Sequence, residues 1–118
     1  MNLLWLESSL RYSMATLDPN AVIVKVKLTE YLLVQLAKDD KPQFLAKAGY
    51  TIENWQQLER DLREQILSLE AIPTVETQYG QKYAITGDLS SPSGITIRVK
   101  TIWIDTGEVT RFVTLFPA

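Results

Sequence analysis

Apolar residues recur every three or four positions in the middle of the chain, and this pattern predicts a long amphipathic helix. The stripe consists of Trp55, Leu58, Leu62, Ile66 and Leu69. A stripe of this kind normally packs on the core of a globular domain. Thr51 is placed to cap the helix, and Glu59 and Arg63 have the spacing of an i,i+4 ion pair. Pro73 is expected to end the helix because a proline interrupts the backbone hydrogen bonds.

Two shorter helices are predicted upstream of this segment. The first begins at Leu28 and ends near Lys38, and its apolar face consists of Leu28, Tyr31, Leu32 and Leu36. Asp39 and Asp40 offer an N-cap to the second helix, with Pro42 in its first turn. Its inward residues and its glycine stop are Phe44, Leu45, Ala48 and Gly49.

Turn formers and β-branched residues predict the remaining elements. Asp18-Pro19-Asn20 indicates a turn, and residues 21–26 form a β-branched run typical of a short strand. Three further strands are expected at 82–86, 95–104 and 109–116. Their short connections make them antiparallel neighbours. The predicted fold is therefore α+β, with N-terminal helices packed on one face of a C-terminal antiparallel sheet of three to four strands.

The alternation of polar and apolar residues changes phase within the second of these strands. Arg98 and Lys100 share a face, but Ile102 and Ile104 continue on that same face. Two explanations stay open: a β-bulge near Thr101 shifts the register, or this end of the strand is buried on both sides.

The length of 118 residues fits one domain. We assign residues 18–118 to a single α+β domain and residues 1–17 to an N-terminal extension. The extension forms a short helix if its apolar residues Leu3, Leu6, Leu10 and Met14 share one face, or it precedes a natural start at Met14. An apolar arm of this kind could pack on its own domain or on a neighbouring copy of the chain, and the second arrangement would support an oligomer.

Composition narrows the chemistry that is open to the chain. It has no cysteine and no histidine, which removes thiolate nucleophiles, the commonest general base and the preferred zinc ligands. We therefore expect no metal and no cofactor. Twelve basic and fourteen acidic residues give a net charge of −2, so a nucleic-acid site would have to be a local patch. No apolar run approaches the roughly 20 residues of a membrane span, and the expected compartment is the cytoplasm.

Residues 78–104 and the strand that follows them hold the densest set of groups able to do chemistry. The candidate catalytic residues are Tyr79, Lys82, Tyr83, Arg98, Lys100 and Arg111. In a metal-free ribonuclease, cations would stabilise the phosphorane and a tyrosine would stack a base or donate a proton. The competing interpretation is an ordinary solvated strand face with Tyr83 in packing. Trp103 is expected in the core, and the acidic residues of the third helix are expected on a solvated surface: Glu53, Glu59, Asp61, Glu64 and Glu70.

Five strings in order carry a family resemblance. They are PNAV at 19–22, KLTEYLL at 27–33, AGYTIENWQQL at 48–58, YGQKY at 79–83 and TIWI at 101–104. Together they resemble the bacterial family called domain of unknown function 6883, over roughly residues 18–117. The resemblance implies kinship with C-terminal domains of polymorphic toxins and with stand-alone cyanobacterial proteins, often encoded beside a small protein with an SH3-like barrel.

One segment departs from that family. Many members carry an Asn-Pro-x-His-Pro-x-Gly segment and a His-Lys pair after the first helix, whereas residues 34–45 read VQLAKDDKPQFL, with Lys41 near the expected basic position. Two hypotheses follow. The first is an interaction module that binds a small cognate partner in a toxin–antitoxin-like or conflict-system pair. The second is a metal-free ribonuclease toxin that uses the six candidate residues on RNA.

Overall fold

The computed structural model describes residues 15–33 and 40–118. Its helical segments are α1 (Lys27–Leu32, a π-helical turn), α2 (Asp40–Lys47) and α3 (Trp55–Asp61). A 3₁₀ turn, Ile52–Asn54, leads into α3, and a π-helical turn, Leu62–Ile66, continues it. The strands are β1 (Ile72–Thr77), β2 (Gly80–Ser90), β3 (Thr96–Asp105) and β4 (Thr110–Pro117). In the described residues, no helix combines the length and hydrophobicity that crossing a membrane requires.

The strands form one antiparallel sheet in the order β1-β2-β3-β4. This confirms an α+β fold with a four-stranded antiparallel sheet. Among the described residues, the helices lie in the middle of the chain, between 27 and 66, and not at its N-terminus as expected. The short turns between consecutive strands explain the antiparallel order, because a parallel pair needs a long crossover.

The core lies between the predicted helical stripe and one face of the sheet. Leu58, Leu62 and Ile66 are fully buried, as the spacing predicts. Leu69, at the end of the stripe, stays 38% exposed but contacts the sheet at Gly87, where an added Cβ would overlap its δ-methyl group. The absence of a side chain at Gly87 therefore lets this segment approach β2 closely.

Trp103 fills the centre of the sheet side of the core. It is fully buried and meets Phe112 edge-on, with ring centroids 5.2 Å apart. The prediction that Trp103 is a core residue is confirmed, and edge-on aromatic pairs of this kind add stability beyond their buried area.

The helix predictions upstream are confirmed only in part. In α1, Leu28 and Leu32 are buried, but Tyr31 is 66% exposed and Leu33 is buried instead. The wider π-helical turn explains the shift, since Leu33 donates its N–H to the Leu28 carbonyl five residues back. The predicted end near Lys38, together with Leu36 and Asp39, lies outside the described residues.

The predictions for α2 and α3 are confirmed for the buried face and glycine stop of α2 and for the ion pair on the solvent-exposed face of α3, whereas the N-cap of α2 stays a prediction. Leu45 and Ala48 are fully buried, and Gly49 stops α2 with a φ of 92°. Thr51 is the N-cap of the 3₁₀ turn that leads into α3 and not of α3 itself, and its N–H donates to Asn54 Oδ1 at 2.7 Å. Arg63 pairs with Glu59 at 3.3 Å.

The segment before α1 differs from its prediction. The turn is present, because the Asn20 N–H donates to Asp18 Oδ1 at 2.8 Å. The predicted strand at 21–26 is reduced to one parallel bridge between Val22 and Arg111. The predicted helix and intermolecular contact of the N-terminal arm concern residues 1–14, which lie outside the described part, and stay predictions.

The sheet corrects two further predictions and decides between the two explanations for the phase change in β3. The helix ends before Pro73, which lies in β1, an edge strand where a missing N–H is tolerated. β2 extends to Ser90, beyond the predicted limit of 86. For the phase change in β3, the uninterrupted pairing with β2 excludes a bulge on that side, and the alternative explanation holds in part, because Thr101 and Trp103 are buried while Ile102 and Ile104 on the other face are half-buried. The register shift is between β3 and β4, where Trp103 pairs with Phe112 while Ile102 pairs with Thr114.

Candidate functional site

One face of the sheet points away from the core, and we call it the open face. Residues paired across antiparallel strands share a face, so the register defines its rows. The rows that carry its charged and large apolar side chains are Lys82–Ile104–Arg111, Ile72–Ala84–Ile102–Thr114, Thr86–Lys100–Phe116 and Asp88–Arg98. The opposite face carries the buried residues Ile85, Leu89, Val99, Trp103 and Leu115.

The centre of the open face is apolar. Ile102 and Ile104 are half-buried, and Ile72 and Phe116 are 52% and 41% exposed. Ala84 lies between Ile72 and Ile102 and is buried by its neighbours. Ile72, Ala84 and Ile102 therefore form a continuous apolar row from β1 to β3. Ile104 lies in the row on one side of it and Phe116 in the row on the other side.

Four cations surround this centre: Lys82, Arg98, Lys100 and Arg111. Arg98 is paired with Asp88 at 3.1 Å, and both side chains are more than half exposed, so the pair contributes little to stability. Among the described residues, no carboxylate lies within ion-pair distance of Lys82, Lys100 or Arg111. Four cations against the one carboxylate of Asp88 leave an excess of three positive charges at the paired positions of this face.

The structure brings the four predicted cations onto one face but does not gather them in a cleft. Lys82 and Arg111 flank Ile104, so their strands lie roughly 10 Å apart, or two strand spacings. Arg98 lies six residues from Ile104 along β3, which is about 20 Å at the rise of a strand. The four side chains therefore cannot all contact one phosphate.

The two predicted tyrosines lie elsewhere. Tyr83 pairs with Trp103 on the core face and is half-buried, while Tyr79 is 71% exposed in the turn between β1 and β2. Tyr83 is thus on the opposite face of the sheet from the four cations. The catalytic role of these six residues stays a prediction.

A buried polar cluster in the helices was not found by sequence reasoning. Asp61 was expected on a solvated surface, but only 4% of it is exposed. Its Oδ2 accepts a hydrogen bond from the Tyr50 hydroxyl at 2.5 Å, and its Oδ1 accepts one from Gln57 Nε2 at 2.9 Å. Burial, with the Asp61 carboxylate adding to it, raises the pKa of Tyr50 far above its ordinary value of 10. The i,i+4 spacing of Gln57 and Asp61 was the one sequence signal for this cluster.

Two cavities flank the turn between β3 and β4. The larger, about 340 Å³, includes Tyr79 and Glu76, and the other, about 300 Å³, is lined in part by Asp18, Tyr83 and Glu108. Asp105 borders both, and its Oδ1 accepts from the Gly107 N–H at 2.8 Å. In the part of the chain that the structure describes, no group of three or more acidic residues is arranged to hold a metal ion.

These features define a class: a small α+β domain whose antiparallel sheet exposes a basic face with an apolar centre. The model of the family described as domain of unknown function (DUF6883) matches residues 17–118. The chain belongs to that family. No curated protein and no solved structure shows significant similarity to the chain.

Proposed function

We propose that this protein is an interaction module that binds a small cognate protein through the open face of its sheet. The observation that carries the proposal is the row of apolar residues at the centre of that face, with charged residues around it. Protein interfaces commonly have this arrangement, with an apolar centre that excludes water and a polar rim.

A protein fits this face better than RNA does. Sheets that bind single-stranded RNA stack its bases on exposed aromatic rings. At the centre of the open face stand Ile102 and Ile104, whose branched side chains offer no flat ring for stacking. Phe116 is the aromatic residue at a paired position of this face, and it lies on the terminal strand.

The family resemblance extends the proposal to a biological setting. The partner is a small protein encoded beside this one, with an SH3-like barrel, and the two form a toxin–antitoxin-like or conflict-system pair in the cytoplasm of a cyanobacterium. Residues 34–45 contain no histidine, whereas many relatives carry a histidine-containing segment there. This difference supports a binding role.

Replacing an isoleucine at the centre of the open face tests the proposal. We expect Ile102→Asp to weaken the affinity for the purified neighbour-encoded protein by at least about tenfold, since central apolar anchors dominate binding energy. Isothermal titration calorimetry gives the affinity, and the melting temperature shows whether the variant folds. The matched control is Ile52→Asp, at a residue that is 44% exposed in the 3₁₀ turn before α3. Equal affinities of the two folded variants would reject the open face as the binding site.

A metal-free ribonuclease is the second candidate, and the four cations on one face are the observation that favours it. In that case expression of the chain alone arrests growth and cleaves RNA, and Lys82→Ala or Arg98→Ala abolishes both effects because each removes a phosphate-binding charge. Northern blots of total RNA after induction provide the measurement. Normal growth with intact RNA would eliminate this candidate.

A further inference from the structure

Three cations of the open face, Lys82, Lys100 and Arg111, are arranged around its two half-buried isoleucines. Lys82 and Arg111 lie on either side of Ile104 in one row. Lys100 lies two residues before Ile102 and four before Ile104 on β3, which places it roughly 13 Å from the first row. Positive charges thus border the apolar centre on three sides.

These charges have no counterpart within the described part of the chain. Asp88 neutralises Arg98 at the far end of the face, but Lys82, Lys100 and Arg111 have no carboxylate within ion-pair distance there. Complementary charge across an interface raises the association rate and selects the partner. The face therefore favours a partner that supplies the missing carboxylates.

A second copy of this chain does not meet that requirement. If two open faces met, each would place its excess of three positive charges against the same excess on the other. Like charges facing each other across an interface cost several kcal/mol. The arrangement of charges thus opposes self-association through this face and favours a different protein.

We infer that the partner is an acidic protein whose carboxylates contact Lys82, Lys100 and Arg111 around an apolar side chain that packs on Ile102 and Ile104. This inference rests on the proposed interaction function and specifies the chemistry of the partner. Because exposed charges are screened by salt, the complex should weaken as ionic strength rises.

Zero-length carbodiimide cross-linking tests the inference even before the partner is identified, because it joins lysine amines directly to carboxylates. The full chain is treated in lysate of its native host, and the cross-linked peptides are identified by mass spectrometry. We expect links from Lys82 and Lys100 to aspartate or glutamate residues of one protein. Lys25 and Lys47, which are exposed and lie elsewhere on the fold, should give none.

The identified protein is then purified and titrated with variants. Lys100→Glu and Arg111→Glu should each weaken its affinity by at least about tenfold, as should a rise from about 50 to about 300 mM NaCl, while Lys47→Glu should leave it unchanged. The melting temperature of each variant confirms that it folds.

The outcomes separate this inference from the proposed function. A protein that binds through Ile102 but is insensitive to salt and to both charge reversals would overturn the acidic partner and leave the interaction function standing. Links from Lys82 or Lys100 to a second copy of the chain, or to lysate proteins without selection, would also overturn it. If no protein binds the chain at all, both proposals fail.

Discussion

Thr101 is a buried polar residue in β3, and its polarity makes the alternation of inward and outward residues along this strand hard to recognise from the sequence. It is fully buried, and its Oγ1 donates to the Ile85 carbonyl at 3.0 Å and accepts from Trp103 Nε1 at 2.7 Å. Those two hydrogen bonds satisfy both the threonine and the indole, which would otherwise be costly to bury. Inward Thr101 and outward Ile102 therefore reverse the usual polarity, and side-chain polarity alone misassigns this end of the strand.

Gly80 is the residue at which a side chain would do most damage to the sheet. Its φ is 145°, and an added Cβ would overlap the carbonyl oxygen of Asp105 on β3. Because a backbone atom cannot rotate away, we expect Gly80→Ala to lower the free energy of unfolding by about 2–5 kcal/mol, from backbone strain and overpacking together. Urea denaturation followed by circular dichroism measures the change.

Gly107 provides the control for this substitution. Its φ is 93°, but an added Cβ would have no atom within 4 Å. Gly107→Ala should therefore cost only the backbone strain, about 1–2 kcal/mol. Equal losses in the two variants would show that the contact between Gly80 and Asp105 contributes nothing beyond strain.

At the scale of elements, the sequence is most informative where a regular period persists. The stripe of α3 and the strands β2, β3 and β4 were predicted because apolar residues recur over enough positions to define a face. β1 was missed because Pro73 signals a helix end and Thr74 and Glu76 lack a regular apolar period. On an edge strand these residues are acceptable, but edge position depends on the whole sheet.

The open face could be predicted only in part for the same reason. Alternation along one strand places Arg98 and Lys100 on the same side. Whether Lys82 and Arg111 lie on the same face as Arg98 and Lys100 depends on the pairing between strands. The pairing of β4 contains a register shift beside Trp103. A shift of one residue would move Arg111 to the core face, so the sequence pattern could not establish that all four cations share a side.

The charge of the whole molecule differs from the charge of its open face. The chain carries a net charge of −2, so the positive excess of the open face is offset by an acidic remainder. Asp18, Asp105 and Glu108 contribute to it around one cavity at the turn between β3 and β4. Composition alone therefore argues against an anionic partner, whereas the folded arrangement favours one.

The stability of the whole domain should depend on Tyr50 at alkaline pH. The pKa of the buried Tyr50 is raised above 10, its ordinary value in the unfolded chain. Its contribution to stability is complete below pH 10 and is lost as the pH rises above 10, because the unfolded chain then releases a proton that the folded chain retains. We expect this loss to be about 1.4 kcal/mol per pH unit.

Comparison of the wild type with Tyr50→Phe isolates this effect. At about pH 8 the variant should be less stable by about 1–3 kcal/mol, since Asp61 keeps its bond from Gln57 but loses the one from the hydroxyl. Above about pH 10 the difference in the free energy of unfolding should shrink. The wild type loses stability there, whereas phenylalanine has no proton to release in either state. Urea unfolding at about pH 8, 10 and 11 measures the free energy of unfolding of both proteins. The control is Tyr79→Phe at an exposed position, which should lose stability at alkaline pH as the wild type does. A difference between wild type and Tyr50→Phe that stays constant across this range would contradict the raised pKa.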